Sequence, residues 1–153
     1  MSIEQKAAQL SCVIPSLVLE KGEFKEERAL KEMPFGVGRM TQFASGFTQG
    51  PVQAATGYNA IQKYMIEKTG LPAIIQNESS SGTVAAQGTI FPVPIALASS
   101  FEPKLSYEMG KVIADEGKAI GVHAMMSPVA DVSRDARWGR VDETFGEDPL
   151  VCA

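Results

Sequence analysis

The sequence predicts an α/β fold assembled from parallel βα units. Three observations carry this. Short apolar segments at residues 13–19, 35–40, 73–76 and 122–132 alternate with stretches of helical period. Polar loops follow two of the predicted strands, at residues 77–82 and 131–148. No internal repeat or low-complexity linker interrupts the alternation. In such folds ligand sites lie at the C-terminal ends of the strands, so the two polar loops are expected on one rim.

Taken in order, residues 2–10 form a short helix with Ser2 as its cap and Ile3, Ala7 and Leu10 on one face. Residues 13–19 are apolar but interrupted by Pro15. Residues 20–33 are charged and fit either a helix or a loop. Phe35-Gly-Val-Gly-Arg-Met40 reads as a glycine-punctuated strand, and its glycine spacing alone does not make a nucleotide site. Residues 48–68 have helical spacing, with Ala54, Tyr58, Ile61 and Met65 on one face, and Gly70 with Pro72 stops the helix. Residues 73–76 form a short strand of buried type. Residues 91–97 are apolar but broken by Pro92 and Pro94. The clearest helix runs from Pro103 to about Ile120, with Leu105, Met109, Val112, Ile113 and Ile120 as its stripe and Gly121 closing it. Residues 122–132 read as a strand leading into the charged loop. Asp148 caps and Pro149 opens a last helical turn. One turn gains little after its nucleation cost, which predicts that the chain is the front part of something longer.

Composition sets further bounds. A chain of 153 residues suits one domain. A net charge of −4 offers no long-range attraction for nucleic acid. No stretch approaches the roughly 20 apolar residues that span a bilayer. The start of the chain lacks a basic segment followed by an apolar core, so a cytoplasmic location is the expectation. Cys12 and Cys152 lie far apart with no spacing pattern, so neither a disulfide framework nor a metal site is expected. His123, the single histidine, has small and apolar neighbours and reads as a satisfied core residue rather than a metal ligand. No cofactor is implied.

The stretch from Asp131 to Asp148 carries the most information. It holds Arg134, Arg137 and Arg140, five carboxylates after Asp131, and Trp138, the sole tryptophan. Opposite charges threaded through Trp138, Gly139, Phe145 and Gly146 fit either of two readings. One is a structural ion-pair cluster that fixes a loop; the other is a network that grips a polar ligand. Glu78, on the other polar loop, reads from its position alone as a solvated loop residue.

Asp135-Ala-Arg-Trp-Gly-Arg140, followed by Glu143-Thr-Phe-Gly-Glu-Asp148, resembles the N-terminal barrel domain of glycoside hydrolase family 3. That family includes β-glucosidases, β-xylosidases and β-N-acetylglucosaminidases. The opening helix at residues 2–10, Thr89-Ile-Phe-Pro92 with Ala98, Phe101 and Pro103, and residues 121–131 agree in order and spacing, so the resemblance runs nearly the whole chain. It implies the N-terminal portion, about half, of a (β/α)₈ barrel over residues 1–153, truncated at its C-terminal side. It implies hydrolysis that releases terminal β-D-glucose or β-xylose with retention. By position, Glu78 and Arg140 match the residues that hold hydroxyls of the non-reducing sugar, and Asp131 ends a strand where it could face the same sugar. Arg137, Trp138, Glu143, Glu147 and Asp148 are expected to support the loop.

Catalysis is a separate matter. The family's Lys-His pair, nucleophile and acid/base are expected beyond this chain, so no catalytic residue and no metal ligand is assigned within it. Ser81 stands where the family often has His, and Ala136 where it usually has Pro. The expected partners are a small oligosaccharide or glycoside and the remainder of the barrel, or a second copy in its place. Nucleic acid and membrane are not expected. A second reading is a non-catalytic carbohydrate-binding remnant or one half of a split barrel.

Overall fold

The computed structural model describes residues 1–153, apart from the side chains of Phe43 and Ser45. Helix α1 (Ile3–Ala8) opens the fold with a complete capping box: the Ser2 hydroxyl accepts from the Gln5 amide while the Gln5 side chain accepts from the Ser2 amide. It leads into strand β1 (Cys12–Val13). Strands β2 (Leu19–Glu20) and β3 (Glu23–Phe24) form an antiparallel hairpin. Its two-residue turn, Lys21-Gly22, has positive φ at both positions, which matches the twist of the flanking strands. Then follow α2 (Glu26–Glu32), β4 (Arg39–Met40), α3 (Pro51–Thr69), β5 (Ile74–Asn77), α4 (Pro94–Ala98), α5 (Pro103–Ala119), β6 (Ala124–Met125) and α6 (Pro149–Cys152).

The main sheet is parallel, in the order β1-β4-β5-β6. Spatial order follows chain order, so every crossover moves the same way. A doubly wound sheet would reverse at a switch point; a sheet that never reverses curls toward barrel closure. The sequence expectation of parallel βα units, and of part of a (β/α)₈ barrel, therefore holds.

Alternation along the strands separates two faces. Val13, Met40 and Ile75 are cross-strand neighbours on the helix side, and Met40 and Ile75 are fully buried. Cys12, Arg39 and Ile74 share the opposite, open face, and all three are exposed. That face is polar in part: Arg39 Nη1 donates to Gln76 Oε1 at 2.7 Å, and Gln76 Nε2 donates to Thr41 Oγ1 at 3.2 Å. The core lies between the sheet and α3, with Phe47, Ile61 and Met65 at its centre. Gln62 ties the two layers together, donating to the Ala73 carbonyl at 2.8 Å and accepting from the Ala73 amide at 2.9 Å.

Helices α3 and α5 match their expected ranges closely, and Gly70 and Gly121 both adopt positive φ after them. The strands are shorter than expected. Of residues 35–40 only two pair, and of 122–132 only Ala124–Met125 form a strand, with Val129 in an isolated bridge to Thr144. The ambiguous segment 20–33 is part hairpin and part helix. On α5, Ile113 is buried while Leu105 stays 49% exposed, so the stripe is only partly covered.

Candidate functional site

The rim at the C-terminal ends of β4, β5 and β6 is formed by three consecutive loops. The β5 loop is fixed from below by Asn77, which is fully buried. Its Oδ1 accepts from the Ala44 amide at 3.2 Å and its Nδ2 donates to the Val84 carbonyl at 3.1 Å, so one side chain joins the β4 loop to the far arm of the β5 loop. Ser79, also fully buried, shares a 2.7 Å hydrogen bond with Ser127 and joins the β5 loop to the β6 loop. Between these anchors Glu78 is half-buried, and its carbonyl accepts from the Val84 amide at 3.0 Å.

The β6 loop is held by Ser133 and Thr144, both buried. The Ser133 amide donates to the Gly146 carbonyl at 2.9 Å, and Thr144 pairs with Val129 in an isolated bridge. Thr144 Oγ1 donates to the Val141 carbonyl at 2.7 Å and accepts from the Gly146 amide at 3.2 Å. Two ion pairs stand on this frame. Arg137 grips Asp135 in a bidentate fork, both side chains well exposed. Arg140 grips Glu143 in a second fork, Nε to Oε1 at 2.8 Å and Nη2 to Oε2 at 2.6 Å.

Charge then connects the loops. The guanidinium of Arg140 is pushed above its ordinary range, first by its hydrogen bond to Glu143, with further pulls from the Glu78 and Asp131 carboxylates. The Glu78 and Asp131 carboxylates, from the two polar loops, thus both lie within electrostatic reach of Arg140. Beside them runs an open groove of about 970 Å³. Its lining includes Glu78, Ser80, Ser81, Asp142 and Glu143 as polar groups and Val84, Ile90 and Val93 as apolar ones. Arg140 and Asp131 are outside that lining; the groove and the charge cluster share Glu78 and Glu143. Acceptors and a guanidinium beside apolar surface suit a neutral, hydroxyl-rich ligand.

The remaining expectations divide. Asp148 caps α6, accepting from the Leu150 amide at 2.8 Å. Arg137 pairs with a neighbouring carboxylate, as its position suggested. Trp138 is 38% exposed, while Thr144 and Ser133 are buried in the interior of the loop. Glu147 is exposed and makes no hydrogen bond or ion pair among the described residues, so it does not anchor the loop. His123 is satisfied but not buried. Its Nδ1 accepts from the Ile75 amide at 3.0 Å, which leaves Nε2 to carry the proton toward Tyr58 Oη at 3.2 Å. It immediately precedes the edge strand β6 and is exposed. Asn77, Ser79 and Thr144 escaped the sequence reading, because their partners are remote or their burial depends on the fold.

Comparison with known proteins agrees with this geometry. The family model described as the glycosyl hydrolase family 3 N terminal domain matches residues 2–153. A relative from Formosa agariphila is 36% identical across 99% of this chain and 20% of its own. β-Glucosidase C of Emericella nidulans is 30% identical across 99% of this chain and 26% of its own. The chain therefore spans about a fifth to a quarter of the length of these curated relatives. Among solved structures, a β-glucosidase from Erythrobacter marinus superposes with a TM-score of 0.87 at 29% identity, covering 99% of this chain and 20% of that one. A family 3 β-N-acetylglucosaminidase from Paenibacillus shares the fold, with a TM-score of 0.84 at 20% identity, over 99% of this chain and 29% of its own. With its singly wound parallel sheet and its Arg-Trp-Gly-Arg loop set on that sheet's rim, this chain belongs to glycosyl hydrolase family 3, as part of the family's N-terminal barrel domain.

Proposed function

We propose that this chain supplies the sugar-holding half of an exo-acting, retaining glycoside hydrolase that releases β-D-glucose or β-xylose from non-reducing ends. The observation that carries the reading is that the Arg140–Glu143 fork of one loop and Glu78 of the other border the same groove, Glu78 and Glu143 both lining it. A carboxylate accepts from sugar hydroxyls and a guanidinium donates in a fixed fork, so the two together orient a neutral polyol without needing its charge. Family membership and the similarity to named β-glucosidases and a β-xylosidase support the substrate class. A retaining enzyme also needs two carboxyl groups about 5 Å apart across the scissile bond. We assign neither to this chain. Asp135 and Glu143 are already held by arginines, and Asp148 caps a helix.

The test is kinetic, on the full-length enzyme that carries this segment, with 4-nitrophenyl β-D-glucoside, β-D-xyloside and N-acetyl-β-D-glucosaminide. The reading expects turnover of a glucoside or xyloside and a large loss in kcat/KM for Glu78→Ala and Arg140→Ala. Turnover of neither, or unchanged kinetics in both variants, overturns it. A chain that binds xylose or glucose without turnover would instead support the non-catalytic alternative.

A further inference from the structure

We propose that Glu143 is a positioning residue that holds Arg140 side-on and keeps it from collapsing onto Glu78 or Asp131. The inference rests on the sugar-holding role given to Arg140 above.

The geometry is specific about which edge of the guanidinium is used. Glu143 takes the Nε proton and one Nη2 proton. Both Nη1 protons and the second Nη2 proton have no partner among the described residues. The fork therefore leaves the Nη1 edge as the donor edge for an incoming ligand.

The alternatives within reach make the clamp necessary. Glu78 and Asp131 both act on Arg140 through charge, yet neither is hydrogen-bonded to it. A direct Arg140–Glu78 pair would satisfy the two groups with each other and take both away from a sugar. Glu143 prevents this by offering the better-placed carboxylate. It lies three residues on, at the end of a single 3₁₀ turn (Val141–Glu143) whose Glu143 amide donates to the Arg140 carbonyl at 3.2 Å. That turn brings both side chains to one side. Glu143 is also the more anchored member, its side chain 31% exposed against 58% for Arg140. The residue after it, Thr144, is fully buried, and its hydroxyl donates to the Val141 carbonyl and accepts from the Gly146 amide. The Arg137–Asp135 fork nearby has no such backing: the Arg137 side chain is 91% exposed. Of the two forks, only Arg140–Glu143 stands against the groove and the second loop.

The experiment is a double-mutant cycle in the full-length enzyme with 4-nitrophenyl β-D-xyloside or β-D-glucoside, using Glu143→Gln, Arg140→Ala and the pair. The glutamine keeps size and removes the charge that competes for Arg140. KM is expected to rise about tenfold in Glu143→Gln, the scale of one charge-assisted contact, with kcat changed far less. In the Arg140→Ala background Glu143→Gln should then add nothing. A Glu143→Gln KM within twofold of the parent, beside a raised KM in Arg140→Ala, overturns the positioning role alone. Multiplicative effects overturn it as well. An unchanged KM in Arg140→Ala overturns the underlying reading instead. Should the glutamine variant fail to fold, ¹⁵N-arginine spectra of the parent enzyme decide the matter. A slowly exchanging Arg140 Nε–H, assigned by its loss in Arg140→Lys, is expected; rapid exchange at that position refutes the clamp.

Discussion

The Ser79 and Ser127 hydroxyls stand 2.7 Å apart and form a direct side-chain bond between the loops after β5 and β6. Glu78 precedes the first of these serines, so the bond sets how the Glu78 loop sits against the loop that carries Arg140. Ser79→Ala should leave the fold intact but cost on the order of 1 kcal/mol, because Ser127 loses its partner. Urea titration of the full-length enzyme that carries this segment measures the cost, and an unchanged midpoint would rule out a structural role for the bond.

Two glycines should respond in opposite directions. Gly110 lies within α5 with nothing within 4 Å of an added Cβ. Gly110→Ala should stabilise the chain by about 0.5–1 kcal/mol through helix propensity. Gly82 has φ +115°, and an added Cβ would lie 2.0 Å from the Thr89 carbonyl oxygen. Gly82→Ala should destabilise by roughly 1–3 kcal/mol and shift the groove wall. Denaturant midpoints of the two variants test both signs.

Acid should loosen the charged loop before it unfolds the sheet. The hydrogen bond from Arg140 holds Glu143 below its ordinary value of 4.5, and that from Arg137 holds Asp135 below 3.8. A carboxylate lowered in the folded state contributes above its ordinary value and is lost as pH falls through the folded one. Exposed pairs are worth little to global stability, so the effect is local. Trp138 lies between the two forks and is the sole tryptophan. Its emission should change below pH 4.5 while the far-ultraviolet circular dichroism stays native. Constant emission over that interval would refute the local loosening.

On its own, the 153-residue chain should self-associate or melt broadly. Strands β1 and β6 each pair on one side only, and Leu105, Tyr107, Phe101 and Ile90 are exposed apolar groups. Sedimentation velocity and a thermal melt decide this. A monomer with a sharp, high-temperature transition would contradict it.

The same isolated chain should hydrolyse no 4-nitrophenyl glycoside, since no nucleophile or acid/base is assigned within it. Turnover that disappears in Glu78→Ala would place chemistry, not only binding, on this segment.

The sequence made the helices legible because their signals are local. Ser2 with Gln5, Pro51 with Gly70 and Asp148 with Pro149 each act within one turn or one helix. The strands were legible as positions but not as lengths. A two-residue strand such as Arg39–Met40 is defined by partners 27 and 35 residues away in register, Cys12 and Ile74. Glu78 and Arg140 could be named because a family motif carries them. Asn77 and Ser79 could not, since a polar residue shows its burial only when a partner such as Ala44 or Ser127 arrives from another loop. Glu147 erred in the opposite direction: it is exposed and has no hydrogen bond or ion pair among the described residues, so a residue in a dense motif need not bear on its structure.

The unbroken left-to-right order of β4, β5 and β6 makes ligand recognition a nearest-neighbour property. The loops that carry Glu78 and Arg140 leave strands one inter-strand step apart, about 4.8 Å at the sheet, before any contribution from the rest of a barrel. Their relative position is thus insensitive to insertions, deletions or redesign elsewhere in the ring. A segment with that property can be transplanted: the same sugar-facing geometry could serve barrels whose remaining strands, and whose chemistry, differ.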